Sequence, residues 1–323
     1  MPGNSVLEVS NLATCFTGSA GVVKAVNGVT FAVKAGQTLG VVGESGCGKS
    51  VMCLSLVGLI GPPGRIVSGE VWLNGQDLLQ LSPKELRRVR GREIALVFQD
   101  PMTSLNPILT VGTQLTETIV SHEEVSKAEA RRRALELLAR VGLPDPERLM
   151  RCYPFQLSGG MRQRVMIGMA LSLQPKVLIA DEPTTALDVT VQAQILAELK
   201  RLQKELGMAV VLITHDLGVV AAMADEVAVM YAGSIVEYGS AAEIFASPGH
   251  PYTRALLRSV PRLGGEEELA PIEGQPPTLL NPAGHCAFLP RCPQAGEKCI
   301  GDKPGLRPFD PGRYVACHVR GGI

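Results

Sequence analysis

The 323 residues carry 46% hydrophobic and 19% charged side chains, enough for a substantial core and about two domains. Lys+Arg and Asp+Glu both total 31, so the net charge is zero, which argues against a dedicated nucleic-acid binder with its basic surplus. The N-terminus lacks the pattern of a signal peptide, and no apolar run reaches the roughly 18 to 20 residues of a membrane span; the chain reads as a soluble cytoplasmic protein, where clustered cysteines favour metal or redox chemistry over disulfides.

Residues 6–42 read as β-rich runs around a turn-prone pair, Asn27-Gly28. "TLGVV" at 38–42 is a short apolar run that ends at Gly43, as a buried strand would. A Gly-rich loop follows, then an apolar segment at 50–60 suited to a helix, stopped by "GPPG" at 61–64. Residues 66–73 predict another strand. "SKAEARRRALELLARV" at 126–141 predicts an amphipathic helix with a capping box of Ser126 and Glu129. The three arginines 131–133 make either a solvated face or a basic patch for an acidic partner. "KVLIAD" and "AVVLIT" predict two buried strands around a helix at 189–206, the pattern of a parallel α/β sheet covered on both faces. Pro and Gly become frequent past about 240, and a domain boundary is expected near 240–265.

Three stretches carry chemistry. "GESGCGKS", Gly43 to Ser50, fits G-x-x-x-x-G-K-[ST] between a strand and a helix. Its glycines let backbone N–H groups face phosphate oxygens, and the helix N-terminus adds partial positive charge. Gly43, Ser45, Gly46, Cys47, Gly48, Lys49, Ser50 and Val51 make up this candidate ATP site, with Lys49 on the β- and γ-phosphates and Ser50 on Mg²⁺. Cys47 reads as a small residue whose backbone serves the loop, its thiol being a secondary candidate for oxidative inhibition. The strand "KVLIAD" delivers Asp181 and then Glu182. Asp181 suits Mg²⁺ and Glu182 suits orienting or deprotonating the attacking water, on opposite sides of the strand. A second strand leads to His215, which could contact the γ-phosphate.

"LSGGMRQR", Leu157 to Arg164, resembles the signature of ATP-binding cassette (ABC) ATPases, as do Gln99 in "LVFQDP", "TALD" at 185–188 and His215, in matching order. Ser158 can cap a helix, and Gly159 and Gly160 can expose its first N–H groups to a phosphate. The resemblance implies a RecA-like core, an antiparallel β region and a helical subdomain at about 100–170, within a cassette spanning 1–245. It implies two cassettes that sandwich two ATP molecules head to tail, with Ser158, Gly159, Gly160 and Gln163 turned to the partner's ATP and Asp188 in the D-loop. It adds Phe16 as the ring stacked on adenine, Gln99 as a Mg²⁺ ligand beside Ser50 and Asp181, and Glu182, His215 and Gln99 as the catalytic set.

Only about 110 residues separate Lys49 from the signature, without the long coiled coil of repair ATPases, and there is one cassette where translation factors usually have two. A separate importer subunit fits best. "FQDPMTSLNPILTVG" (98–112), "SPGHPYTRALLRSVP" (247–261) and the tail resemble ATPase subunits of dipeptide and oligopeptide importers. That resemblance implies a peripheral subunit on the cytoplasmic face of the membrane, a second and distinct cassette subunit, two permeases, an extracytoplasmic peptide-binding protein, and no nucleic acid. Alternatives are an importer ATPase for nickel or a sugar, and more distantly a non-transport cassette ATPase.

The segment 246–323 holds Cys286, Cys292, Cys299 and Cys317, with five, six and seventeen residues between them. Four thiolates can hold a [4Fe–4S] cluster or a tetrahedral zinc, and structural zinc favours tighter pairs. The importer resemblance also points to the cluster; zinc and a metal-free tail remain alternatives. Cys15, Cys53 and Cys152 read as ordinary buried thiols.

Overall fold

The computed structural model describes residues 5–185, 187–259, 271–282 and 284–319. Ala186 of the 185–188 motif and parts of the 246–323 segment lie outside these residues. The chain separates into two units, one from 1–33, 38–79 and 212–323, the other from 34–37 and 80–211.

The first unit opens with strands β1 (Ser5–Gly18), β2 (Gly21–Lys34) and β3 (Thr38–Val42), helix α1 (Lys49–Leu56), and strands β4 (Gly64–Leu73) and β5 (Gln76–Asp77). One sheet runs β2-β1-β4-β5. β1 and β4 pair antiparallel from Leu7 opposite Leu73 to Phe16 opposite Gly64. Leu7 and Val9 are buried while Ser10 is exposed, the alternation of a strand with one covered face. Asn74 and Gly75, both at positive φ, join β4 to β5, as a tight hairpin turn requires. The turn expected at Asn27-Gly28 is instead interior to β2. Gly28 takes φ 76° there without ending the strand. Long-range pairing overrides the local signal: Asn27 N–H donates to the Gly233 carbonyl at 2.7 Å, and the Asn27 carbonyl accepts from Ser234 Oγ at 2.8 Å.

The second unit holds α2 (Pro83–Val89), β6 (Ile94–Val97), α3 (Pro101–Ser104), α4 (Val111–Val120), α5 (Lys127–Arg140), α6 (Pro146–Leu149), α7 (Gly159–Leu171), β7 (Val177–Asp181), α8 (Val189–Leu206) and the start of β8 (Ala209–Ile213). β6 and β7 are parallel, from Ile94 opposite Val177 to Val97 opposite Ala180, and β8 lies on the other side of β7. Every residue of β7 is buried, which explains the unbroken apolar run Val177–Ala180 ahead of Asp181. In α5 the Ser126 hydroxyl accepts from Glu129 N–H, and Ala130, Ala134, Leu137 and Leu138 face inward. The arginines beside them are paired locally: Arg131 with Glu147, Arg132 with Glu129 and Glu136, and Arg133 with Glu123. These pairs favour the solvated-face reading of 131–133 over a basic docking patch.

The chain then returns to the first unit through α9 (Leu217–Met223), β9 (Glu226–Tyr231), β10 (Ser234–Ser240), α10 (Ala241–Ala246), α11 (Pro251–Arg258), α12 (Lys298–Gly301), β11 (Arg307–Asp310) and β12 (Arg313–Val315). Its strands run β11-β12-β10-β9-β3. β3 and β9 are parallel, from Leu39 opposite Glu226 to Val42 opposite Val229, and the other pairs are antiparallel. Tyr231, Tyr252 and Phe288 meet in one core cluster with Val42, Val220 and Val229. Each such aromatic removes a large apolar surface from water, and tilted or edge-on contacts add to that burial. The ring centroids of Tyr231 and Tyr252 lie 4.4 Å apart, and Phe288 meets both edge-on.

A buried carboxylate secures the C-terminal strands. Glu237 of β10 is fully buried and accepts from Gly249 N–H at 2.7 Å, His250 N–H at 2.9 Å and the Arg313 guanidinium at 3.2 Å. Arg313 also donates to the Ser247 carbonyl at 2.6 Å and lies over the Phe309 ring. A buried charge is tolerable only when paired and hydrogen-bonded, and Glu237 is both.

Candidate active site

In the first unit, β3 runs into the Gly43–Ser50 loop and α1 begins at Lys49. Gly43 and Gly48 are required by close backbone approach. A Cβ on Gly43 would stand 2.1 Å from the Met230 carbonyl oxygen, and one on Gly48 would stand 2.0 Å from that of Ala25. Both also take positive φ, which glycine adopts at little cost. Gly46 is at positive φ too, in open space, next to exposed Ser45.

Lys49 is buried, and its ammonium donates to the carbonyls of Gly43 at 2.7 Å and Glu44 at 3.0 Å. Ser50 is exposed. Gly48 supplies no side-chain cap to α1, whose first amides are therefore left to another acceptor. Val51 sits in the first turn, where its carbonyl accepts from Ser55 Oγ, and Ser55 in turn bonds Thr14 of β1. Cys47 is buried, and burial pushes its thiol pKa up against the opposing pull of Lys49. Oxidation needs an exposed thiolate, so the structure disfavours Cys47 as an oxidative switch. Phe16 is half-buried, its ring against Gly64.

Sequence reasoning missed three further groups at this loop. Glu44 accepts a two-pronged ion pair from Arg291, at 2.7 and 2.9 Å, and donates its N–H to the Tyr252 hydroxyl at 2.8 Å. No motif joins these residues: Arg291 lies 247 positions from Glu44 and Tyr252 lies 208.

In the second unit, Asp181 ends β7 and is buried. Glu182 follows outside the strand at φ 47°, a strained position for a residue with a side chain. The expected alternation of the two carboxylates along one strand is therefore replaced by a left-handed turn. Glu182 Oε2 accepts from Gln99 Nε2 at 2.8 Å and from Thr185 Oγ1 at 2.9 Å. Thr185 opens the 185–188 motif, and a hydroxyl three residues past the carboxylate is the signal that points to this second contact.

The signature forms the start of α7. Ser158 caps the helix, accepting from Met161 N–H at 3.3 Å. Ser158 and Gly159 are exposed, and Gly160 approaches Val191 of α8 so closely that a Cβ would stand 2.7 Å from it. Gln163 is turned inward, 2% exposed, with no hydrogen-bond partner for Nε2. That burial argues against direct contact between Gln163 and a partner's phosphate. Asp188 caps α8, accepting from Val191 N–H at 2.9 Å. His215 is exposed, just past β8 in the first unit.

The four tail cysteines lie near enough to influence one another. Burial raises the pKa of Cys286, Cys292 and Cys317, the last to about 11, and neighbouring tail thiols push each higher. Cys286 N–H donates to the Cys299 carbonyl at 3.2 Å. No group of three or more His, Cys, Asp or Glu among the described residues is set to hold a metal ion. Cys15 and Cys53 are buried as expected; Cys152 is only half-buried.

A family model described as ABC transporter matches residues 26–185, and one described as oligopeptide/dipeptide transporter, C-terminal region, matches 236–299. The oligopeptide transport ATP-binding protein OppD of Salmonella typhimurium is 51% identical over 98% of this chain and 94% of its own length. The dipeptide transport ATP-binding protein DppD of Bacillus subtilis is 52% identical over 98% of this chain and 95% of its own. Among solved structures, the dimeric ATP-binding cassette MJ0796 bound to ADP and Pi aligns with TM-score 0.66 and 30% identity, over 73% of this chain and 98% of that one. CbiO1 of Clostridium perfringens, part of an ABC transporter complex, aligns with TM-score 0.64 and 31% identity, over 76% of this chain and 92% of that one.

Proposed function

The chain belongs to the ABC transporter ATPases that carry an oligopeptide/dipeptide transporter C-terminal region, and from that premise we propose that it powers the import of dipeptides and oligopeptides as the peripheral ATPase subunit of a multi-subunit importer. It is an ATP hydrolase coupled to transport. The observation that carries the peptide reading is full-length similarity, tail included, to proteins named for peptide transport. The cassette spans 1–245, and the extension spans 246–323.

Each site residue has a role in this reading. Lys49 and the amides of the loop hold the phosphates, and Phe16 stacks on adenine. Ser50, Asp181 and Gln99 offer only oxygen donors, the set that suits Mg²⁺. Glu182 orients the attacking water, and His215 contacts the γ-phosphate. The exposed N-terminus of α7 at Ser158 and Gly159 supports a head-to-tail dimer in which it faces a phosphate held by a second, distinct cassette subunit.

Two permeases dock on the second unit. Met102, Ile108 and Phe155 are exposed there by 57%, 78% and 63%, although their side chains are apolar. Arg162 links two of these residues, donating to the Met102 sulfur at 2.6 Å and to the Phe155 carbonyl at 3.5 Å. Exposed apolar side chains of this kind suit burial against a membrane subunit. No helix among the described residues is long and apolar enough to cross a membrane; in this reading the permeases form the translocation path. The subunit works at the cytoplasmic face, and an extracytoplasmic binding protein delivers the peptide.

The tail thiols are read as ligands of a [4Fe–4S] cluster. The support for this reading is the presence of four cysteines in the tail, with five, six and seventeen residues between them, where structural zinc favours tighter pairs. When bound, such a cluster supplies folding energy to a tail with little core of its own. Iron and acid-labile sulfide near four each per chain, in protein purified without oxygen, is the expected result; neither element would leave a metal-free docking tail.

The importer reading is tested by reconstituting the chain with its permeases, its partner cassette and the binding protein in vesicles. ATP-dependent uptake of labelled dipeptides or oligopeptides is expected. Uptake of nickel or sugar without peptide would move the chain to the alternative importer class.

A further inference from the structure

The phosphate loop is braced by the C-terminal extension. Of the polar groups of Glu44, the carboxylate is gripped by Arg291, the N–H is taken by Tyr252, and the carbonyl accepts from Lys49 and from Cys47 N–H. Arg291 is itself fully engaged. Its side chain is 3% exposed, and it donates to the carbonyls of Glu273 at 2.9 Å and Ile272 at 3.3 Å and to the Tyr231 hydroxyl at 3.3 Å. Its neighbour Cys292 belongs to the thiol group of the tail. Because the guanidinium is a rigid fork, a two-pronged carboxylate contact fixes orientation as well as distance.

The brace has a consequence for Lys49. Two carbonyls position its ammonium, those of Gly43 and Glu44. The Gly43 carbonyl shares a peptide unit with the Glu44 N–H, which Tyr252 holds, and the Glu44 side chain is held by Arg291. A rotation of the Glu44 peptide would redirect one of the two acceptors of Lys49. We propose that Arg291 is a positioning residue for ATP binding, acting through Glu44 to hold the phosphate loop and Lys49 in a receptive geometry. The extension is thereby part of the nucleotide site, and a change in the cysteine-bearing loop is felt as a change in ATP affinity. This rests on the reading of Gly43–Ser50 as the nucleotide loop.

The test is a double-mutant cycle on the full-length chain, with Arg291→Lys, Glu44→Gln and the pair of substitutions. Binding of a fluorescent ATP analogue with Mg²⁺ is titrated, and thermal unfolding is followed in parallel. Each single variant is expected to weaken binding by about tenfold, within the usual span of coupling between sites, and the double variant to be no weaker than the worse single one. Lysine keeps the charge and loses the fork, so a structural role resting on charge alone would leave affinity unmoved. Unchanged affinity in Arg291→Lys with lowered thermal stability would overturn the proposal. Strictly additive losses would overturn it as well. Lys49→Ala serves as the separate control: if it leaves affinity unchanged, the nucleotide-loop reading itself fails, whatever the cycle shows.

Discussion

Gln99 Nε2 donates to Glu182 Oε2 across 2.8 Å, joining two residues 83 positions apart. The same oxygen accepts from Thr185 Oγ1, and Glu182 is held in a left-handed backbone conformation. A carboxylate fixed by two donors has little freedom left, which is what a residue orienting an attacking water requires. Glu182→Gln should keep ATP binding and lower hydrolysis by about 10²–10⁴-fold, the usual worth of a positioned general base. Single-turnover hydrolysis alongside nucleotide titration checks this; substantial turnover at this chain's own site would remove Glu182 from its role.

Glu237 anchors the C-terminal strands at a fully buried position shared with Arg313. Glu237→Ala would leave the N–H groups of Gly249 and His250 without their acceptor and remove one of the two carboxylates paired with Arg313, the other being Asp310. A loss of about 3–5 kcal/mol of stability is expected, the range for breaking a buried pair from one side. Denaturant unfolding measures it, and a loss below about 1 kcal/mol would mean that water replaces the lost acceptor.

His250 is 2% exposed, and its Nδ1 accepts from Tyr252 N–H at 3.0 Å. Burial lowers its pKa from 6.5 to about 4, assisted by nearby Arg254. The unfolded chain therefore binds a proton at His250 at a higher pH than the folded chain does. Stability should fall as pH drops from about 6.5 toward 4, by up to about 3 kcal/mol in all. His250→Gln, which cannot take up the proton, should flatten that part of the profile. Thermal unfolding across this window in both proteins decides; parallel slopes would assign the acid sensitivity to other groups.

Much of the site was legible because its motifs are continuous in the chain. Gly43–Ser50 sits between a strand and a helix as its spacing implied, and Ser158 and Asp188 cap helices that their neighbours had marked. Local hydrogen bonding sets each of these, so local sequence suffices. The strand β7 was equally plain, since the buried run Val177–Ala180 must be apolar up to Asp181.

What depended on tertiary structure is of another kind. Asn27-Gly28 looks like a turn, but pairing to Gly233 and Ser234 carries the strand through it. Gln163 stands in the signature, yet its position on α7 turns it inward, and a short motif does not specify which face of a helix is covered. The three arginines at 131–133 were ambiguous until their acidic partners, up to sixteen residues away, were placed. The hold of Arg291 on Glu44 had no sequence signal at all. By itself the sequence marked Gly43–Ser50 as a phosphate-binding candidate, because phosphate binding needs only a few adjacent backbone amides and one lysine. Only the folded chain decided what keeps that loop rigid, because the bracing charge comes from 247 residues away and meets it through packing that no local pattern encodes.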